Sequence, residues 1–175
     1  LAFTPTVQVG DGDVITGDGF TFEALHTPGH ISNHLCFTLE EEQTLFTGDH
    51  VMGWSTTVIP APDGNLSDYL SNLRRLLDRP EQLYRPTHGP AITEPHPWVT
   101  DLIAHRVERE GQITTALAAG PRTIASLVSE LYAHVDEELH RAAGGSVYAH
   151  LLDLVRNGLA DADPRPDPEA EWHLA

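Results

Sequence analysis

The chain has 175 residues, 40% of them hydrophobic, which is enough for one globular domain or two small ones and argues against a disordered chain. Ten arginines stand against 26 acidic residues for a formal charge of −16, and a field of that sign repels phosphate backbones, disfavouring a broad nucleic-acid surface while still allowing a local site that holds its own cation. No run of about 18 apolar residues occurs, which excludes a membrane-spanning helix. A single cysteine, Cys36, excludes an intrachain disulfide and fits a reducing compartment, so the cytoplasm is the expected location.

The chain opens Leu1-Ala2-Phe3-Thr4-Pro5, with neither the charged start nor the apolar run of a signal peptide, and the expectation is that the native N-terminus is missing. Short strands follow. Asp11-Gly12-Asp13 reads as a turn, Asp13 to Thr16 and Phe20 to Leu25 read as strands, and Thr27-Pro28-Gly29 stops the second. Leu35 to Leu39 and Thr44 to Thr47 read as a hairpin across the acidic turn Glu40-Glu41-Glu42, with Cys36 as a small buried strand residue. Leu66, Leu70, Leu73, Leu76 and Leu77 recur at helical spacing, with Asp68 near the start and Arg74 and Arg75 near the end, so a helix is predicted over 67–77. Leu83-Tyr84 is a last short strand.

Pro90, Pro95 and Pro97 mark a linker. Val99, Leu102, Ile103, Val107, Ile113 and Leu117 then keep helical spacing until Gly120-Pro121 ends the helix. A second helix is predicted from Thr123 to Tyr132, and a third from Ser146 as N-cap, with Val147, Leu151, Leu154 and Val155 on one face. The division expected is 1–97, 98–162 and a mobile acidic tail at 163–175, rich in Pro, Asp and Glu despite Trp172.

Three ligand-type side chains sit just past predicted strand ends beside glycines. They are His30 after Thr27-Pro28-Gly29, Asp49 after Phe46-Thr47-Gly48, and His88 between Thr87 and Gly89. Imidazoles with a carboxylate are what a borderline divalent cation such as zinc takes. A lone histidine is more often a surface or hydrogen-bonded residue than a ligand, so the weight lies on the set.

His26-Thr27-Pro28-Gly29-His30, Phe46-Thr47-Gly48-Asp49 and Pro86-Thr87-His88-Gly89-Pro90, in that order and at that spacing, resemble the third, fourth and fifth motifs of the metallo-β-lactamase superfamily. The segment from Ala104 to Ile113 and the helices after it resemble the winged-helix extension of the branch that includes the mitochondrial β-lactamase-like endoribonuclease. The resemblance implies an α+β chain, the C-terminal half of an αββα sandwich followed by a small, mainly α winged helix. It also implies a binuclear zinc site in the full-length enzyme, with hydroxide between the metals. His30 would bind one metal, Asp49 would bridge both as the catalytic carboxylate, and His88 would bind the other. The family's first ligand motif, His-x-His-x-Asp-His, is absent, so a partial or empty site and no activity are expected of this chain alone.

His26, His34 and His50 lie close enough in sequence to be hydrogen-bonding supports for the ligands. Arg106 and Arg141 are candidates to meet an anionic substrate. The function expected is metal-dependent hydrolysis of a small ester, thioester, lactone or phosphoester. A metal-dependent endoribonuclease and a non-catalytic interaction module with relic ligands are the alternatives. RNA remains open as a partner. Duplex DNA is not expected, because 98–175 carries 13 acidic residues against six arginines and the third helix offers only Arg156. One sheet face of 1–97 should be uncovered, and homodimerisation or a missing N-terminal half would cover it.

Overall fold

A computed structural model describes residues 4–175, and the start at Leu1 to Phe3 lies outside the described residues. Period-two alternation builds a five-stranded sheet in the order β1 (Val14–Gly17), β2 (Phe20–His26), β3 (Leu35–Leu39), β4 (Thr44–Gly48) and β5 (Leu83–Pro86). The first three pairings are antiparallel and the β4–β5 pairing is parallel. Leu25 pairs with Cys36, Thr38 with Leu45 and Leu45 with Tyr84, so these side chains share one face. Helix α1 (Leu66–Leu77) covers that face with Leu66, Tyr69, Leu70, Leu73 and Leu76. Asn65 caps the helix by accepting the Asp68 N–H at 3.2 Å, and Asp68 and Arg74–Arg75 complement its dipole. Burial pushes the Cys36 thiol up to about 12, as suits an inert core residue.

The opposite face carries an aromatic row. Phe37 pairs with Phe46, the Phe22 ring lies 6.5 Å from Phe37 and 5.9 Å from Phe46, and Phe20 adjoins Phe22 at 5.5 Å. Among the described residues no element packs over them, and Phe20 and Phe46 remain 38% and 36% exposed. The uncovered face expected from the sequence is therefore present.

A second core lies behind the first, formed by the C-terminal part of α2 (Pro95–Ala118), α3 (Ile124–Leu131), α4 (His140–Arg156) and a hairpin of β6 (Ala160–Asp163) and β7 (Glu171–Leu174). Thr123 and Ser126 close a capping box on α3. Helix α2 belongs to both cores, through Val99 and Leu102 in the first and Ile113, Ala116 and Leu117 in the second. The expected boundary at 97/98 therefore falls inside its first turn.

Three sequence expectations are corrected. Helix α4 starts at His140 and runs through Gly144-Gly145, so Ser146 lies inside it and caps nothing. Val107 is 53% exposed, because the buried stripe of α2 runs Val99, Leu102, Arg106, Arg109, Ile113, Ala116 at alternating three- and four-residue steps. Residues 163–175 are no mobile tail. Trp172 is fully buried with its ring 5.9 Å from Tyr148, and its backbone exchanges two 2.8 Å hydrogen bonds with Arg122. The Pro- and Asp-rich composition that signalled disorder belongs to the turn between β6 and β7.

Candidate metal centre

Sheet topology brings the three motif residues together. Strand β3 runs against both β2 and β4, and β5 runs with β4, so β2, β4 and β5 all end at one edge. His30, Asp49 and His88 follow those ends. The His30 Nε2 lies 3.7 Å from Asp49 Oδ2, and the His88 Nε2 lies 3.5 Å from Asp49 Oδ1. One carboxylate thus faces two imidazoles, one at each oxygen.

The donor set fits a divalent cation in part. Asp49 Oδ1 is buried without a hydrogen-bond partner, an arrangement that costs free energy unless something positive meets it. Two donors each about 2.0–2.2 Å from a tetrahedral ion stand about 3.4 Å apart, close to the two separations observed. The His30 Nδ1 lies 2.6 Å from the carbonyl of Val58, which can only accept, so Nδ1 carries the hydrogen and Nε2 keeps a free lone pair toward Asp49. His88 is the open side, 54% exposed. Among the described residues, no three His, Cys, Asp or Glu side chains converge as a closed site. What the geometry shows is two His–Asp49 pairs that share one carboxylate.

The supporting histidines differ from one another. His34 Nε2 accepts the Asp49 backbone N–H at 3.1 Å and its Nδ1 sits 2.8 Å from Thr27 Oγ1, so both ring nitrogens are committed to holding Asp49 in place. Burial holds the His34 pKa below the usual imidazole value, with the neighbouring His30 adding to the effect. Gly48 makes this approach feasible. Its φ is +54°, and a Cβ there would meet His34 Nε2 at 2.6 Å. His50 is fully buried with neither nitrogen partnered, its ring 4.9 Å from Tyr69, and desolvation lowers its pKa to about 3. His26 instead turns outward to the carbonyl of Ser32 at 2.9 Å and supports no ligand.

Neither arginine candidate stands at the metal edge. Arg106 is 2% exposed, donating from Nη1 to Ser146 Oγ at 3.1 Å and from Nη2 to the Thr57 carbonyl. Arg141 is exposed and lines a groove between α3 and α4. Sequence reasoning missed the loop Ser55–Ile59, whose Val58 carbonyl orients His30 and whose Thr57 Oγ1 donates to the Asp49 carbonyl at 2.7 Å. The run Ser55-Thr56-Thr57-Val58 has no spacing that marks a site.

A mixed sheet with histidines and an aspartate at its strand ends is followed by a helical unit with a two-stranded wing. Residues 2–88 match the Metallo-beta-lactamase superfamily and residues 123–172 match the Beta-lactamase associated winged helix domain, and the chain belongs to the metallo-beta-lactamase superfamily. It is similar to an Atrochrysone carboxyl ACP thioesterase of Aspergillus chevalieri, 36% identical over 76% of this chain and 44% of that protein. It is also similar to the Beta-lactamase-like protein 2 homolog of Caenorhabditis elegans, 32% identical over 87% of this chain and 51% of that one. The chain spans about half the length of these curated relatives. A metallo-beta-lactamase family protein from Thermus thermophilus superposes with a TM-score of 0.82 at 26% identity, over 98% of this chain and 55% of that one. No helix among the described residues is long and apolar enough to cross a membrane.

Proposed function

We propose that this chain supplies a bridging carboxylate and two imidazoles to a zinc-dependent hydrolase of small esters or thioesters. The observation that carries the reading is Asp49, which presents one oxygen to His30 and the other, buried and unpartnered, to His88. The thioester class is supported by relatives named as acyl-carrier thioesterases in Aspergillus chevalieri and Claviceps purpurea. A bound divalent metal supplies a nucleophile near neutral pH and polarises the scissile oxygen.

The chain's own residues hold the ligands. Val58 sets the His30 tautomer, His34 and Thr57 brace the backbone of Asp49 from two sides, and the αL turn at Gly48 lets His34 close on it. Such bracing is what fixes carboxylate and ring orientation before substrate arrives. No serine or cysteine nucleophile is required, and Cys36 is fully buried, its Sγ against Thr27 Oγ1 and the Thr47 carbonyl.

The test is thiol release from a small acyl thioester by the zinc-loaded protein that carries this chain. Asp49→Asn should lower turnover by more than about two orders of magnitude, beyond the roughly 10–100-fold that loss of an outer support costs, and a chelator should abolish it. Undiminished turnover in Asp49→Asn, or indifference to chelator, overturns the reading.

A further inference from the structure

Helix α2 places two arginines where a core helix places leucines. Arg106 and Arg109 fill the buried stripe between Leu102 and Ile113 and are 2% and 9% exposed. Among the described residues no ion pair involves either of them. Arg109 lies against the Tyr132 ring at 4.0 Å and donates to the Leu131 carbonyl at 3.2 Å. The Arg106 guanidinium meets only neutral partners, the Thr57 carbonyl, Ser146 Oγ and the Tyr69 ring 5.6 Å away, and its Nε is buried with no partner. Neutral acceptors offset part of the cost of burying a charge but leave the charge uncancelled. In a chain of −16, with carboxylates abundant, two uncompensated buried cations side by side are unexpected.

Arg106 lines a cavity of about 380 Å³ between the loop Ser55–Ile59 and the helical unit. Its walls are mostly apolar, from Val58, Ile59, Val135, Leu139, Ala142 and Ala143, with Thr57 and Ser146 beside the guanidinium. That volume and character are those of small-ligand sites, in which an apolar body is oriented by a few polar groups. The loop that forms one wall is the loop that orients His30 through Val58 and braces Asp49 through Thr57.

We propose that this cavity binds an amphipathic carboxylate, its ring or short acyl body between the loop and α4 and its carboxylate on Arg106. The guanidinium supplies the charge, and the Nη hydrogens not given to Ser146 and Thr57 are the donors left for a carboxylate. An occupant here touches the far side of the loop that holds the metal ligands, so the cavity receives the part of the substrate remote from the scissile bond. The occupant's role as substrate rests on the hydrolase reading. The binding itself does not.

The probe is 2-naphthoate, titrated into the chain by calorimetry with chelator present so that no metal can capture the carboxylate, beside its neutral counterpart 2-naphthalenemethanol. The proposal expects saturable binding of the acid and at least tenfold weaker binding of the alcohol. Ala142→Trp, at an exposed wall position, should weaken naphthoate at least tenfold with an unchanged circular dichroism spectrum. Equal affinity for acid and alcohol, no heat with the acid, or full affinity in a folded Ala142→Trp overturns it. Because no turnover is measured, any of these failures leaves the metal-centre reading standing, and naphthoate binding by a protein without thioesterase activity removes that reading alone.

Discussion

His150 should make the protein acid-labile by a calculable amount. Its imidazole is fully buried in α4 and neither ring nitrogen has a partner. Desolvation, then the charges of Arg106 and Arg109, lowers its pKa to about 3. On unfolding the ring meets water and titrates near 6.5, so between those two values the unfolded state holds more protons than the folded one. Stability then rises with pH and is lost as pH falls below the unfolded value. At about 1.4 kcal/mol per proton per pH unit, acidifying from pH 6 to pH 4 costs about 2.5 kcal/mol through this one residue. His150→Leu keeps the volume and loses no hydrogen bond, so it should remove that slope and leave stability at pH 7 equal or higher. Urea unfolding followed by circular dichroism at each pH from 4 to 7 reads the difference. Parallel pH profiles for wild type and His150→Leu would refute the reasoning, whatever His50 contributes, since His50 is common to both.

Three further outcomes follow from the packing. Trp172→Ala should destabilise the chain by about 3–5 kcal/mol, the usual loss for a buried aromatic, and a loss near zero in urea unfolding would mean that β7 is not docked. Gly48→Ala should lower metal affinity about tenfold, because an αL backbone with a Cβ displaces the His34 ring that braces Asp49; wild-type affinity by calorimetry counts against that bracing role. The aromatic row predicts self-association of this chain through the uncovered sheet face, reduced by Phe46→Asp. Sedimentation showing wild type monomeric at all concentrations would contradict it.

The first hundred residues are legible in the sequence because their signals are local. Alternation from Phe20 to Leu25, the turn at Thr27-Pro28-Gly29 and the leucine spacing of α1 each depend on a few neighbours, and each element stands within a residue or two of its expected place. The pairing of ligand with support is not legible, since His34 reaches Asp49, and Val58 reaches His30, only after the strands are assembled. The wing is lost when composition is averaged over 163–175. The strand pattern Ala160-x-Ala162 and the lone Trp172 are the signals that survive such averaging. The middle of α2 is misassigned by assuming that an arginine faces water. The three- and four-residue steps through Val99, Leu102, Arg106, Arg109 and Ile113 already place both arginines on the buried face.

Titrating the chain with Co²⁺ and following its visible absorption reads whether Asp49 joins His30 and His88 in one metal centre. The account predicts a saturable, weak ligand-field band, reduced in His30→Ala and in His88→Ala and absent in Asp49→Ala, because the carboxylate is shared by both pairs. A band of full intensity and affinity in Asp49→Ala would contradict it.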